Sequence, residues 1–229
     1  MIEIRPAGDT GWLVSVGGPD RPDHATVRRV RMLKARVDRA AVPGVSETHL
    51  GYRSLLVSYD PVAVNPGSVR TAIARIAEGV ESGPPPQRIA GRTRVRRFPL
   101  CVCPECALDR GFIGATLGMA WDEFVRRYCG HGYEVWFMGF QPGFPFLGLL
   151  PEGLDLPRHE TPRTFVPAGS VGIGGFQTGI YAESSPGGWR VLGRTNVRLF
   201  DPGRKKPALL APGDGVAFDP TEDHRALFR

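Results

Sequence analysis

The residues best suited to chemistry lie between positions 137 and 202: arginines, aromatics, amides and hydroxyls set among glycines and prolines. Arg158 and Arg163 each stand directly behind a proline, Pro157 and Pro162. A proline restricts the backbone around it and so aims its loop. A guanidinium offers a planar fork that matches a carboxylate or a phosphate. Arg163 is expected to clamp an anion, with Arg158 as its structural partner. The alternative is a pair of surface arginines bound to Glu152, Asp155 or Glu160. Backbone N–H groups in Ala168-Gly169-Ser170 or Pro186-Gly187-Gly188 can converge on the same kind of anion. Gln177 and Tyr181 add neutral hydrogen-bonding groups and Trp189 a flat apolar face, a set that suits a small flat amide or lactam ring. Phe140, Phe144 and Phe146 read as core or subunit interface rather than ligand contacts.

The four cysteines raise a separate possibility. Cys103-Pro104-Glu105-Cys106 is a CxxC, and Cys129 and His131 follow downstream. Three cysteines and a histidine can close a tetrahedral zinc site. This spacing is permissive rather than diagnostic, and unligated reduced thiols are the expectation.

Other chemistries are excluded by pattern. There is no GxxxxGK[ST] phosphate loop, because Gly91-Arg92-Thr93 and Gly193-Arg194-Thr195 lack the lysine. Gly172-Ile173-Gly174 is followed by Gly175 and Phe176, which is not the dinucleotide fingerprint. No GxSxG elbow is present, and no lysine is flanked by methionines to carry biotin. The formal net charge is +6, and lysine occurs only at Lys34, Lys205 and Lys206, so arginine carries the basic side. That balance suits an acidic small molecule or an acidic partner. The basic residues are dispersed and match no nucleic-acid module, so no nucleic-acid partner is expected. No apolar run reaches the ~20 residues of a membrane span. The start, with Glu3 and Asp9, lacks a signal-peptide layout, so a cytoplasmic protein with reduced thiols is expected.

The elements that must position these groups are mostly β. Glycine and proline punctuate 137–202 so often that no long helix can survive there. Thr164-Phe165-Val166, Ser170 to Ile173 and Arg190-Val191-Leu192 read as short strands. Upstream, Ile2-Glu3-Ile4 and Trp12 to Val16 read as strands around a Gly8-Asp9 turn, and Thr26 to Arg39 as a helix. Glu47 to Tyr59 reads as a strand, and Asn65-Pro66 opens a second helix. Asp109 to Gly118 and Trp121 to Tyr128 read as a short helical pair. The reading is α+β, then mainly β: a small α+β domain over 1–80, a proline-rich linker over 81–89 and a β-barrel domain over 90–229.

The words Gly139 to Phe144, Pro157-Arg158, Pro162-Arg163, Val166 to Val171, Gln177 to Tyr181, Ser185 to Trp189 and Gly193-Arg194-Thr195 occur in one order. They resemble the family called allophanate hydrolase subunit 1, or KipI-like. It includes the B-type subunit of bacterial 5-oxoprolinase and half of the carboxyltransferase region of urea carboxylase. The resemblance implies a ferredoxin-like N-terminal domain followed by a cyclophilin-like β-barrel. It implies a part in the ATP-dependent opening of 5-oxo-L-proline to L-glutamate, with ATP and Mg2+ and no covalent biotin on this chain. The implied partners are a homologous C-type subunit and a separate A-type subunit. Carboxyltransferase and kinase-inhibitor roles are the alternatives within the family. The implied catalytic groups are Arg163, Gln177, Tyr181 and, from a shifted position, His131. The implied substrate- or nucleotide-binding surface takes in Phe140, Pro142, Gly143, Arg158, Pro167, Gly169, Ser170, Gly187, Gly188, Trp189 and Arg194. One departure stands out: Tyr128 occupies a position where the family usually has a histidine. Cys101 is common in the family, whereas Cys103 and Cys106 are not.

Overall fold

Apolar residues alternate along Gly11–Val16 (β2) and Ser54–Tyr59 (β4), so Val14, Val16, Leu55, Val57 and Tyr59 share one buried face. The period becomes helical in His24–Ala40 (α1) and Pro66–Glu81 (α2). There Val30, Leu33 and Val37, then Val69, Ile73 and Ala77, cover that face. Both helices are capped from the sequence: Asp23 accepts the Thr26 N–H at 2.7 Å, and the Asn65 side chain accepts the Gly67 N–H at 2.8 Å. The computed structural model describes residues 2–18, 21–81 and 95–228. The chain divides into two compact units, Met1–Gly91 and Arg92–Arg229. The linker read at 81–89 lies, from its second residue on, outside the described residues.

In the first unit the four strands pair antiparallel in the order β1-β2-β4-β3, with β1 at Ile2–Pro6 and β3 at Val45–Leu50. This is the ferredoxin-like sheet with one edge position filled by the strand that opens the chain. The stretch Glu47 to Tyr59, read as one strand, is a hairpin. Gly51 turns it, donating its N–H to the Ser54 carbonyl at 2.8 Å.

The second unit is built on a closed seven-strand barrel. Its strands are β5 (Val95–Cys101), β6 (Tyr133–Met138), β7 (Pro145–Leu147), β9 (Ser170–Gly174), β10 (Gln177–Ile180), β12 (Arg190–Arg194) and β13 (Gly215–Thr221). Around the barrel the order is β10-β7-β6-β13-β5-β12-β9. Among the described residues only β5 and β13 pair in parallel. Inward residues such as Leu100, Val135, Leu147, Val171, Ile173, Ile180, Leu192 and Val216 fill the interior, which is a packed core. The helices α3 (Arg110–Leu117) and α4 (Trp121–Cys129) follow β5, and Phe124 and Tyr128 of α4 reach into this core. A separate ribbon pairs β8 (Arg163–Val166) with β11 (Ser185–Gly187). The short α5 (His224–Leu227) closes the chain. This is the cyclophilin-like barrel that the resemblance implied. Among the described residues no helix is long and apolar enough to cross a membrane.

Candidate functional site

The polar groups of the motif loops gather around one carboxylate that the sequence did not single out. Asp109 stands at the start of α3 without making a cap bond, because its side chain turns toward β12. Its backbone N–H donates to the Val191 carbonyl at 3.0 Å, and its carboxylate accepts the Val191 N–H at 2.7 Å. Arg163 donates both ends of its fork to the same carboxylate, at 2.9 and 3.0 Å. His159 Nε2 approaches it at 3.0 Å and Arg190 at 3.5 Å. Burial alone would raise the Asp109 pKa. The Arg163 fork and the Val191 N–H outweigh it and hold the group below the usual carboxylate range. Arg190 also donates to the Pro157 carbonyl at 3.1 Å and meets His159 Nδ1 at 2.9 Å, so it fixes the loop before β8. Arg163 and His159 touch as well.

Arg163 is therefore not the free anion clamp expected of it. Its fork is occupied, and its partner is Asp109 rather than Glu152, Asp155 or Glu160. Arg158, expected as the structural partner, is the exposed guanidinium. It donates to the Gln177 side-chain oxygen at 3.1 Å, and its carbon lies 5.8 Å from the centre of the Trp189 ring.

Behind Arg158 lies an aromatic wall. Phe144, Tyr181, Trp189, Val166 and Val191 form one buried cluster, with Phe146 against it. Trp189 is only 6% exposed, with Phe144 and Phe146 edge-on to it at 5.5 and 5.8 Å. A Cβ on Gly174 would stand 2.5 Å from the Trp189 ring, so glycine at that position lets the indole lie against the barrel. Trp189 supports the site and does not offer an open face. Tyr181 is buried under Gly187, and burial raises its pKa despite the Trp189 backbone bond, so it remains a neutral phenol. Gly188 accepts the His159 N–H at 2.8 Å, tying the Arg158 loop to the ribbon.

The backbone cradle proposed at Ala168-Gly169-Ser170 is filled from within. The Ala168 N–H donates to the Ser184 hydroxyl at 3.0 Å, the Gly169 N–H to the Tyr181 carbonyl at 2.7 Å, and the Ser170 N–H to the Pro167 carbonyl at 3.2 Å. Arg194 locks this turn by donating to the Ala168 carbonyl at 2.8 Å. These residues are scaffold. The loop of Gly139 to Phe144 is the second exposed feature. Gly143, at φ 82, would place a Cβ 2.6 Å from Phe200, so this tight turn requires glycine, and it carries Pro142 at its exposed tip. Phe140 sits at φ 67, rare for a non-glycine residue, and is 64% exposed. Phe144, by contrast, is core, as the sequence suggested.

His131 is not brought to this site: it stands edge-on to Tyr133 at the turn before β6. Tyr128, at the family histidine position, is buried, shares a 2.6 Å hydrogen bond with Thr178 and has a raised pKa from burial. It replaces a titratable group with a core phenol. The proposed zinc set also separates. Cys129 packs beside the barrel core, while Cys103 and Cys106 meet Cys101 and His224. Sequence reasoning missed Asp109, His159, Arg190 and His224. His159 was the most accessible of these, lying between the two Pro-Arg words in Pro157 to Arg163.

The chain thus carries a closed barrel with the Pro157–Arg163 loop beside it, and a permuted ferredoxin-like unit. The chain belongs to the carboxyltransferase domain family, subdomains C and D, whose sequence model matches residues 2–210. Within it, the chain is 38% identical over 200 residues to the B-type subunit of 5-oxoprolinase from Escherichia coli, covering 87% of this chain and 88% of the relative. It is 31% identical over 226 residues to the corresponding 5-oxoprolinase subunit of Bacillus subtilis, covering 94% and 91%. The crystal structure of Kluyveromyces lactis urea carboxylase shares the fold, with a TM-score of 0.80 at 22% identity, covering 96% of this chain and 22% of that one.

Proposed function

We propose that this chain is the B-type subunit of an ATP-dependent 5-oxoprolinase and acts in the cytoplasm, opening the lactam of 5-oxo-L-proline to L-glutamate together with partner subunits. The similarity to two such subunits along nearly their whole length carries the reading. The geometry supports it. Arg158 offers an exposed guanidinium to a substrate carboxylate, backed by the Asp109, His159, Arg163 and Arg190 network that holds its loop. ATP supplies activation, since a lactam carbonyl is a poor electrophile until a phosphoryl group is transferred to its oxygen. The Gly169–Ser170 turn does not fit a phosphate, because its N–H groups are already bonded. ATP and Mg2+ then fall to a surface completed by another subunit.

An incomplete site fits a complex. The cleft between α4 and β13 is lined by none of the motif-loop residues. Arg158 and Phe140 instead stand on open surface. A C-type partner seated over them closes the site, and an A-type subunit completes the enzyme. Phe140→Ala is expected to weaken co-purification with the C-type partner about tenfold, roughly 1.4 kcal/mol, as for a moderate interface anchor. Partner affinity equal to wild type would remove Phe140 from the interface.

Co-expression with the neighbouring subunit genes, followed by an assay of ATP-dependent glutamate release from 5-oxoproline, tests the function. Activity is expected from the assembled proteins and not from this chain alone. The matches to urea amidolyase favour a second reading, a carboxyltransferase half served by biotin on another chain. Biotin-dependent carboxylation of urea or a related amide, without glutamate release, would establish that one instead.

A further inference from the structure

We propose that Cys101, Cys103, Cys106 and His224 form a structural zinc site. Their ligand atoms all lie within 4.8 Å of one another, and the three cysteines are buried. The Cys101 and Cys103 sulfurs are 3.2 Å apart, and His224 Nδ1 is 3.3 Å from the Cys106 sulfur and 3.9 Å from that of Cys103. Thiolates sharing a tetrahedral zinc at Zn–S ~2.3 Å stand about 3.8 Å apart. The four atoms therefore need only small adjustments to surround one ion. Three thiolates and one imidazole nitrogen are a soft donor set, the kind that selects zinc in a closed structural site.

The surroundings are those of a ligand turn. Cys103-Pro104-Glu105-Cys106 folds back on itself, with the Cys106 and Ala107 N–H groups both on the Cys103 carbonyl at 3.0 and 2.8 Å. Leu227 and Phe228 pack against the three cysteines. The Phe228 ring also lies tilted against the His224 ring, with centroids 5.0 Å apart, and Arg194 lies 4.6 Å above Phe228. Three elements thus meet: the end of β5, the CxxC turn and the start of α5. On binding, the three thiols each release a proton and the imidazole stays neutral, leaving the site with one net negative charge.

The consequence for the rest of the molecule is positional. Asp109 follows Cys106 by three residues. An ion holding the CxxC turn fixes the carboxylate on which Arg163, His159 and Arg190 converge, and it pins α5 to β5. This role does not depend on the 5-oxoprolinase reading.

The test is elemental analysis of the full-length protein, purified in reductant without chelator and with any metal-affinity tag removed. About one zinc per chain is expected. Cys106→Ser and His224→Ala should each drop it below about a fifth of an equivalent, while Cys129→Ser and His131→Ala leave it unchanged. Because Cys106→Ser could impair folding, the wild-type protein provides a second measurement. Cobalt added in place of zinc should give the intense visible bands and near-ultraviolet thiolate charge transfer of a tetrahedral site. A folded wild type that neither carries zinc nor takes up cobalt overturns the proposal. So does zinc retained in Cys106→Ser, or a mass two hydrogens lighter that reveals a disulfide among the three cysteines.

Discussion

Asp109→Asn is expected to lower the unfolding free energy by about 3–5 kcal/mol, the usual cost of removing one partner from a buried ion pair. The Asp109 side chain is 3% exposed and is the shared acceptor for Arg163, Arg190 and His159. An asparagine keeps the shape and can still accept the Val191 N–H. It leaves the guanidinium groups facing each other without a counter-charge. Arg163→Lys should show a milder loss, since an ammonium meets the carboxylate at one point where the fork meets it at two. Denaturant unfolding followed by tryptophan fluorescence reads mainly this unit, because three of the four tryptophans, Trp121, Trp136 and Trp189, lie in it and Trp12 lies in the other. The pH dependence is a second check. The folded-state pKa of Asp109 is depressed, so its contribution is fully present above the unfolded value of about 3.9 and is lost as pH falls through the lower folded value. The gap between wild type and Asp109→Asn should therefore narrow below about pH 4, as the carboxylate takes up its proton. A variant as stable as wild type at pH 7 would show that the network is incidental.

The legible and illegible parts of this structure differ in how far apart the interacting residues lie. Strand and helix words such as Thr26 to Arg39, Trp121 to Tyr128 and Ser170 to Ile173 are local, set by periodicity and by breakers within a few residues. The structure places α1 at His24–Ala40, α4 at Trp121–Cys129 and β9 at Ser170–Gly174. The exception, Glu47 to Tyr59, failed because a single glycine in a β-rich run does not declare a hairpin. The site was harder to read. Asp109 gains its role from Arg163, 54 residues on, and from Val191, 82 residues on. Cys106 meets His224 across 118 residues. His131 was nearer in sequence and drew the zinc reading to itself, but α4 and its turn carry it to Tyr133. Arginine roles were exchanged for the same reason: two Pro-Arg words look alike until one of them is given a buried acid.

That exchange makes Arg158 the guanidinium to which the proposed function assigns the substrate carboxylate. Arg158→Ala is expected to lower kcat/KM of the assembled enzyme roughly 10- to 100-fold, or about 1.4–2.8 kcal/mol, the range for a hydrogen-bonded charge in a binding site. Its guanidinium is exposed and bonded to the neutral Gln177 amide. An arriving carboxylate can take that fork without displacing an internal acid, as it would have to at Arg163. The loss should fall mainly on KM, because a carboxylate remote from the reacting carbonyl is held equally in the ground and transition states. Arg158→Lys keeps the charge and loses the fork, so partial recovery by lysine would measure how much of the effect is geometry. Stability should match wild type in both variants, since the side chain is at the surface. Gln177→Ala, which removes the amide that steadies Arg158, should raise KM by a smaller factor. An Arg158→Ala enzyme with unchanged KM for 5-oxoproline would place the substrate carboxylate elsewhere, and early melting would make Arg158 a structural residue.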